Sequence, residues 1–169
     1  DDLAEKKPPR PPLLASKKSA EAEEDPLLRP RAPRGEAAPW PSFRGANAAG
    51  VADGQGGVGS WDVESGENIR WKTAIPGLGL SSPVVWGDRV FITTAVSGKG
   101  DHSLVTGLSG DVQSVADDSE HVWQVLALDA QSGEIVWTRD AGKAIPETGR
   151  HTKSSQANST PATDGKHVV

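Results

Sequence analysis

Short apolar runs separated by turn-forming residues make up most of the chain after residue 39. Two clear examples, residues 82–95 and 121–128, are rich in β-branched and other apolar side chains and are bounded by Gly, Asp, Ser or Pro. Such runs are typical of strands joined by turns. No stretch of ten or more residues keeps apolar side chains at helical spacing without Gly or Pro. The pattern therefore predicts an all-β fold and excludes a βαβ architecture.

The first 39 residues differ from the rest in composition. They carry eight acidic and eight basic side chains and no aromatic residue, and nine of the thirteen prolines of the chain lie at or before Pro41. Such a segment has too little apolar surface to offset the entropy cost of ordering it. We expect residues 1–39 to be a disordered, Pro- and charge-rich leader or linker, and residues 40–169 to be the folded part.

Charge and cysteine content narrow the function classes. The folded part has 15 acidic against 10 basic side chains, which argues against nucleic acid or an anionic membrane as a partner. No apolar stretch reaches the roughly 20 residues of a transmembrane helix. The absence of Cys excludes disulfides, thiolate metal sites and a Cys nucleophile. Because the chain begins at Asp1 and ends at Val169 within an apolar run, we expect it to be a fragment.

A sequence repeat is the strongest internal signal in the folded part. Asp, Ser-Gly and Trp recur in the same order in two copies. The first copy consists of Asp62, Ser65, Gly66 and Trp71, and the second of Asp129, Ser132, Gly133 and Trp137. Each copy is followed by a Pro-containing run with a Gly-Asp or Asp-Gly turn, at residues 82–90 and 160–168. The repeated unit is therefore predicted to be a four-stranded antiparallel meander with strands on both sides of each Ser-Gly turn.

The residue types of the repeat suit a tight turn followed by a packing contact. Asp129 can accept hydrogen bonds from the amides of the turn, and Gly133 can adopt the positive φ that other residues avoid. Trp137 adds a side chain that buries about 150–250 Å². Since one meander cannot cover both of its own faces, stacked or ring-arranged copies are required. We expect the tryptophans to pack between neighbouring sheets.

The second copy resembles the repeat of a known family. Residues 127–137 match the pattern Ala-x-Asp-x-x-(Ser/Thr)-Gly-x-x-x-Trp of pyrroloquinoline-quinone (PQQ) β-propellers, beginning at Ala127, at every defined position. The first copy departs from it, with Trp61 before the Asp and one extra residue before the final Trp. The resemblance extends over residues 40–169. It implies an incomplete β-propeller whose blades are the four-stranded meanders.

The resemblance implies two functions, since propellers serve unrelated functions. In relatives such as the outer-membrane β-barrel assembly lipoprotein the propeller is a non-catalytic scaffold. In quinoprotein dehydrogenases it holds PQQ and Ca²⁺ at the ring centre, with a vicinal Cys pair and a catalytic Asp. Because the chain has no Cys, we expect a non-catalytic scaffold or binding module with a protein or carbohydrate partner and no cofactor in this sequence. The resemblance implies that it is periplasmic or extracellular. The alternatives are a fragment of a PQQ-dependent alcohol or sugar dehydrogenase, with PQQ and calcium held elsewhere in a longer protein, and a ligand-sensing module.

Three polar or Gly-rich segments outside the repeat are further candidate sites. Residues 117–121 hold three acidic side chains and a His, which fit either a Ca²⁺ site or a solvated loop. Residues 150–153 hold Arg, His and Lys, which fit either an anion site or an ordinary connection whose polar side chains bond their own backbone. Residues 54–59 match G-x-G-x-x-G, a nucleotide signature only between a strand and a helix. No residue is assigned a catalytic role.

Overall fold

The computed structural model describes residues 39–52, 56–100, 104, 114–115 and 117–169. Nearly all of the predicted leader lies outside these residues. Regular structure in the described part consists of six strands and one short 3-10 turn at Ala46–Ala48, and none of its helical structure is long and apolar enough to cross a membrane. The all-β prediction is confirmed for these residues.

Four of the strands form one antiparallel sheet. The strands are β1 (Val84–Trp86), β2 (Arg89–Ser97), β3 (Ser114–Val115), β4 (His121–Asp129), β5 (Ile135–Ala144) and β6 (Arg150–His151). The main sheet has the order β1-β2-β4-β5, and β3 pairs with β6 in a separate two-stranded ladder. All pairings are antiparallel. These four strands form an antiparallel meander. It begins with the strand after Pro83 and ends with the Trp-bearing strand β5, whereas the predicted unit began before the Ser-Gly turn and ended after the Pro-led run.

The core lies in a row across one face of this sheet. Val84 is opposite Phe91, Phe91 is opposite Ala127, and Ala127 is opposite Trp137. Val84, Phe91 and Ala127 are almost completely buried. Trp137 is half-buried at the end of the row, with its ring centroid 5.9 Å from that of Phe91. The tryptophan of the second copy thus belongs to the core of its own sheet.

The first copy of the repeat is not flanked by strands. Between residues 56 and 83, as far as they are described, the chain forms turns and one isolated bridge, between Leu78 and Ala95, and no strand. The prediction of strands on both sides of each Ser-Gly turn is therefore wrong for the first copy. A strand requires a hydrogen-bonded neighbour, and no described segment pairs with residues 61–71. After the second copy, residues 160–168 likewise form only a bridge between Thr163 and Val168.

Residues 40 and 41 join the main sheet to the C-terminal segment. Trp40 and Val85 exchange two backbone hydrogen bonds, of 2.9 and 2.8 Å. The carbonyl of Pro41 accepts the amide of Thr163 at 2.8 Å. Ala162 and Val169 in turn exchange bonds of 2.8 and 2.9 Å. This extended segment therefore lies between β1 and the hairpin of residues 162–169.

Candidate functional site

The turn that joins β4 to β5 is built around the side chain of Asp129. Its Oδ1 accepts the amides of Gln131 and Ser132, both at 2.9 Å. The amide of Gly133 donates to the Asp129 carbonyl at 2.8 Å, and Gly133 has a φ of 76°. Hydrogen bonds from the Ser132 and Gln131 amides hold the pKa of Asp129 below its ordinary value. The Asp and Gly of the second copy therefore have the geometry that their residue types favour.

The first copy forms the same turn. Oδ1 of Asp62 accepts the amides of Glu64 at 2.7 Å and Ser65 at 2.9 Å. The amide of Gly66 donates to the Asp62 carbonyl at 3.0 Å, and Gly66 has a φ of 79°. The amides of Ser65 and Glu64 lower the pKa of Asp62, as the equivalent amides do for Asp129. The two turns are equivalent although only the second joins two strands.

The tryptophan of the first copy packs on the turn of the second. Nε1 of Trp71 donates to the carbonyl of Ala130 at 3.1 Å, and Thr73 Oγ1 donates to the carbonyl of Gly133 at 2.6 Å. The Trp71 ring occupies the space that a side chain at Gly133 would need, because a Cβ there would lie 2.4 Å from Cδ2 of the indole. Arg70 extends the contact by donating to Oε1 of Gln131 at 2.7 Å. Contact between the two copies therefore runs through an indole placed on a glycine turn.

Two more tryptophans lie on glycines, and the sequence pattern did not predict these contacts. A Cβ at Gly165 would lie 2.4 Å from Nε1 of Trp86, and one at Gly45 would lie 2.5 Å from the Trp40 ring. Both glycines have positive φ, 85° and 73°. The sequence feature that could have indicated these contacts is the presence of glycines at turn positions, since each of the two tryptophans packs on such a glycine. Pairing Trp86 with Gly165 fixes the C-terminal hairpin against β1.

A cleft of about 450 Å³ opens beside this hairpin. It is lined by Pro41, Ser42, Ala162, Thr163, Asp164, His167 and Val169. Its volume falls in the range of small-molecule sites. Asp164 accepts the amides of His167 and Lys166 at 2.7 and 2.8 Å, which lowers its pKa, and its Oδ2 lies 3.2 Å from Nδ1 of His167. The cleft thus combines apolar walls with one acid–imidazole pair.

A second polar cluster is buried where the loop after β3 returns to β4. The carboxylate of Asp117 accepts the hydroxyl of Ser97, and it accepts the Ser119 amide at 2.9 Å and the Ser119 hydroxyl at 2.5 Å. The hydroxyls of Ser119 and Ser97 hold the pKa of Asp117 well below its usual range. Nε2 of His121 lies 3.6 Å from Asp117 Oδ2. Because the Ser97 hydroxyl donates to a carboxylate and not to the imidazole, the cluster does not have the Ser–His hydrogen bond of a catalytic triad.

The space beside this cluster is too small for a substrate. Ser97 and His121 face a cavity of about 10 Å³ that Arg150 also lines. That volume holds at most one water molecule. The cluster therefore anchors residues 117–121 to β2.

The acidic residues of the predicted calcium segment point to different partners. Asp118 pairs with Lys99, and Glu120 lies 2.6 Å from Nζ of Lys143, whereas Asp117 is turned inward. Within the described residues no group of three or more His, Asp or Glu side chains is placed to hold a metal ion. The donor set of this segment therefore does not fit Ca²⁺. The vicinal Cys pair that lies over PQQ in dehydrogenases has no counterpart in the sequence.

The basic and Gly-rich segments also do not form sites. Arg150 is buried and His151 is exposed, so their side chains do not converge on one ligand. Asn158 Oδ1 accepts the Ser155 amide at 3.1 Å and the Ser155 hydroxyl at 2.9 Å. The segment therefore has the hydrogen bonds of an ordinary connection whose polar side chains bond nearby groups of the same segment. In the Gly-rich segment, Gly54 lies outside the described residues. Of the residues that the structure describes, none forms a strand before the glycines at 56 and 59 or a helix after them.

The structure thus brings together repeat residues of the two copies, and a cleft lies beside the C-terminal hairpin. Ala127 and Trp137 lie in the core row, and the remaining repeat residues form the two turns and the Trp71 contact. The cleft contains none of the sequence-predicted site residues. Comparison of the chain with protein-family models, curated proteins and solved structures finds no match.

Proposed function

We propose that the chain is part of a PQQ-like repeat β-propeller that acts as a non-catalytic, exported scaffold or binding module. The observation that carries this proposal is the position of Trp71 on the Gly133 turn. A tryptophan of one copy that packs on the glycine turn of the next is a contact that can recur from unit to unit. Such recurrence is how repeat proteins bury the faces that a single unit leaves open.

The sheet topology supports the same proposal. β1, β2, β4 and β5 form one four-stranded meander, which is the size of a propeller blade. Parts of neighbouring units lie on both sides of it in the chain, with the first turn before it and the hairpin of residues 162–169 after it. In a propeller these would be the end of one blade and the start of another.

Binding is favoured over catalysis by the chemistry of the polar groups. The buried Asp117 is saturated by hydroxyl and amide donors, and the other acids of its loop pair with lysines. The cleft beside Pro41 and Ala162 is open and already formed. Its apolar walls suit a protein segment or the apolar face of a sugar, and Asp164 and His167 supply hydrogen bonds at its edge.

The cleft assignment is tested by direct binding. The intact chain is titrated with a panel of oligosaccharides and extended peptides by calorimetry, and hits are repeated with Ala162→Trp, which fills the cleft. Val51→Trp, at an exposed position outside the cleft, is the matched control. We expect at least one ligand class to lose tenfold or more affinity in Ala162→Trp and to keep it in Val51→Trp. Ligands that bind both variants equally would refute the assignment.

The scaffold assignment is tested against quinone chemistry with the same protein. PQQ and Ca²⁺ are added together, and bound quinone is followed by its absorbance after gel filtration. Dye-linked oxidation of alcohols and sugars is measured in parallel. We expect neither retained quinone nor dye reduction. Retention of quinone or reduction of the dye would refute the assignment as a non-catalytic scaffold.

A further inference from the structure

Val85 and Thr163 are equivalent positions of the two Pro-containing runs. Each lies two residues after the proline of its run. Backbone groups of both residues are bonded to one dipeptide, Trp40-Pro41, which we call the strap. Trp40 exchanges two bonds with Val85, and the Pro41 carbonyl accepts the Thr163 amide. The strap therefore bridges the same position of two successive repeat units.

On the N-terminal side of the prolines the two runs are bonded to each other directly. The Leu80 amide donates to the Ala157 carbonyl at 3.0 Å. The Ser82 amide donates to Oγ1 of Thr160, its equivalent in the second run, also at 3.0 Å. Beyond the prolines, the backbone groups of both runs bond to the strap. Direct contact between the units therefore gives way to a contact through a third segment.

The alternation of an extended chain explains how two residues reach both units. The N–H and C=O of one residue in a strand point to one side, and those of the next residue point to the other. Both backbone groups of Trp40 face Val85, so the carbonyl of Pro41 faces Thr163. Proline has no N–H, so the strap leaves no unpaired donor on the Thr163 side.

The turn that follows the strap holds its shape. The Ser42 carbonyl accepts the Gly45 amide at 2.8 Å, and the Ser42 hydroxyl donates to the Gly45 carbonyl at 3.1 Å. The Trp40 ring lies on Gly45, where a Cβ would be 2.5 Å from the ring. Strap and turn therefore form one local unit, and the backbone hydrogen bonds that join this unit to Val85 and Thr163 number three.

We infer that the strap is a conformational latch between the two repeat units, and that its release frees Val85 and Thr163 in a single step. Segments held by few hydrogen bonds open locally without unfolding of the whole domain. The strap also follows directly on the Pro-rich residues 1–39 in sequence. Force on that segment therefore acts at the junction of the two units.

The experiment measures hydrogen exchange of single amides in the full chain by NMR. The amides of Val85 and Thr163 both donate to the strap, although they belong to different units. Trp40→Ala removes the ring that lies on Gly45 and so releases the strap from its turn. We expect both amides to exchange faster by the same factor, roughly tenfold or more, because local opening of one segment exposes them together.

Two other amides report on the rest of the structure. The Leu80 amide reports on the direct contact between the units, and the Ala95 amide, bonded to the Leu78 carbonyl at 3.2 Å, reports on the sheet. Both should keep their exchange rates. Trp61→Ala is the matched control, because it removes an indole at an exposed position outside the strap.

Each outcome decides the inference. A second variant, Gly45→Ala, displaces the ring without removing it, and we expect the same paired acceleration. Acceleration of only one of the two amides, or of neither, in either variant overturns the inference. Equal acceleration of the Leu80 and Ala95 amides overturns it as well, since the strap would then not open separately, and so does an equal effect of Trp61→Ala. The measurement needs no ligand, so a cleft that binds nothing leaves the inference standing.

Discussion

The indole of Trp71 covers Gly133, a residue 62 positions later in the chain, and donates its N–H to the carbonyl of the neighbouring Ala130 at 3.1 Å. Only a residue without a Cβ leaves room for the ring, and only a residue that tolerates a φ of 76° closes the turn. The two requirements fall on one position. This explains why the turn on which Trp71 packs has a glycine at position 133.

Substitution of Gly133 by Ala measures the steric half of this requirement. A methyl group would lie 2.4 Å from the Trp71 ring, so the ring must move, and overpacking of this kind costs about 1–3 kcal/mol. Gly66→Ala carries the same backbone strain, at a φ of 79°, with no neighbour within 4 Å. The difference in free energy of unfolding between the two variants, from urea titrations at low protein concentration, isolates the clash. Equal destabilisation would mean that the indole does not constrain Gly133.

The Asp129 turn makes stability depend on pH in the acid range. Amide donors lower the pKa of Asp129 from its ordinary value of 3.8, so the folded state favours the carboxylate. The resulting stabilisation is complete above the ordinary pKa and is lost as the pH falls through the lowered folded-state pKa. Asp129→Asn keeps the Oδ1 acceptor but cannot titrate. We expect its urea midpoint to fall less between pH 5 and pH 2 than that of the natural chain.

The control for this titration is Glu147→Gln, which removes one negative charge at an exposed position outside both turns. If Asp129→Asn and Glu147→Gln change the pH dependence by the same amount, general charge repulsion is responsible and the turn is not. Asp62→Asn serves as a replicate, because its carboxylate has the same two amide donors.

The sequence predicted the elements that depend on local chemistry. The Asp129 turn, the strand runs around Phe91 and Leu126 and the antiparallel order follow from turn residues and apolar alternation, which act over a few positions. The cleft was not predicted, because it depends on the 2.8 Å bond between the Thr163 amide and the Pro41 carbonyl, and no periodicity joins such distant residues. The missing strands around Asp62 have a related cause, since strand formation needs a partner that the local sequence does not specify.

The Ser97 hydroxyl is expected to stabilise the loop through Asp117. Ser97→Ala removes one donor from a carboxylate that is 7% exposed, and a hydrogen bond to a charged group contributes about 1.5–3 kcal/mol. Ser159→Ala, at an exposed position whose hydroxyl has no bond among the described residues, is the control. Carbon NMR titration should also show the pKa of Asp117 rising in Ser97→Ala, since that hydroxyl lowers it. An unchanged pKa would show that the bond does not form in solution.

The edge strand β5 is protected against pairing with other chains by two irregularities and by charge. Val136 and Ala141 are skipped in the register with β4, which marks two bulges, and Arg139, Asp140 and Lys143 project from the strand. Bulges and edge charges oppose strand addition. Replacing Arg139 and Lys143 with Thr should therefore shorten the lag before thioflavin-positive aggregation. The control, Lys72→Thr with Lys166→Thr, removes the same charge at exposed positions outside β5. Only the Arg139 and Lys143 substitutions change the edge strand that another chain would meet. If both double variants aggregate equally fast, net charge and not the β5 edge governs solubility.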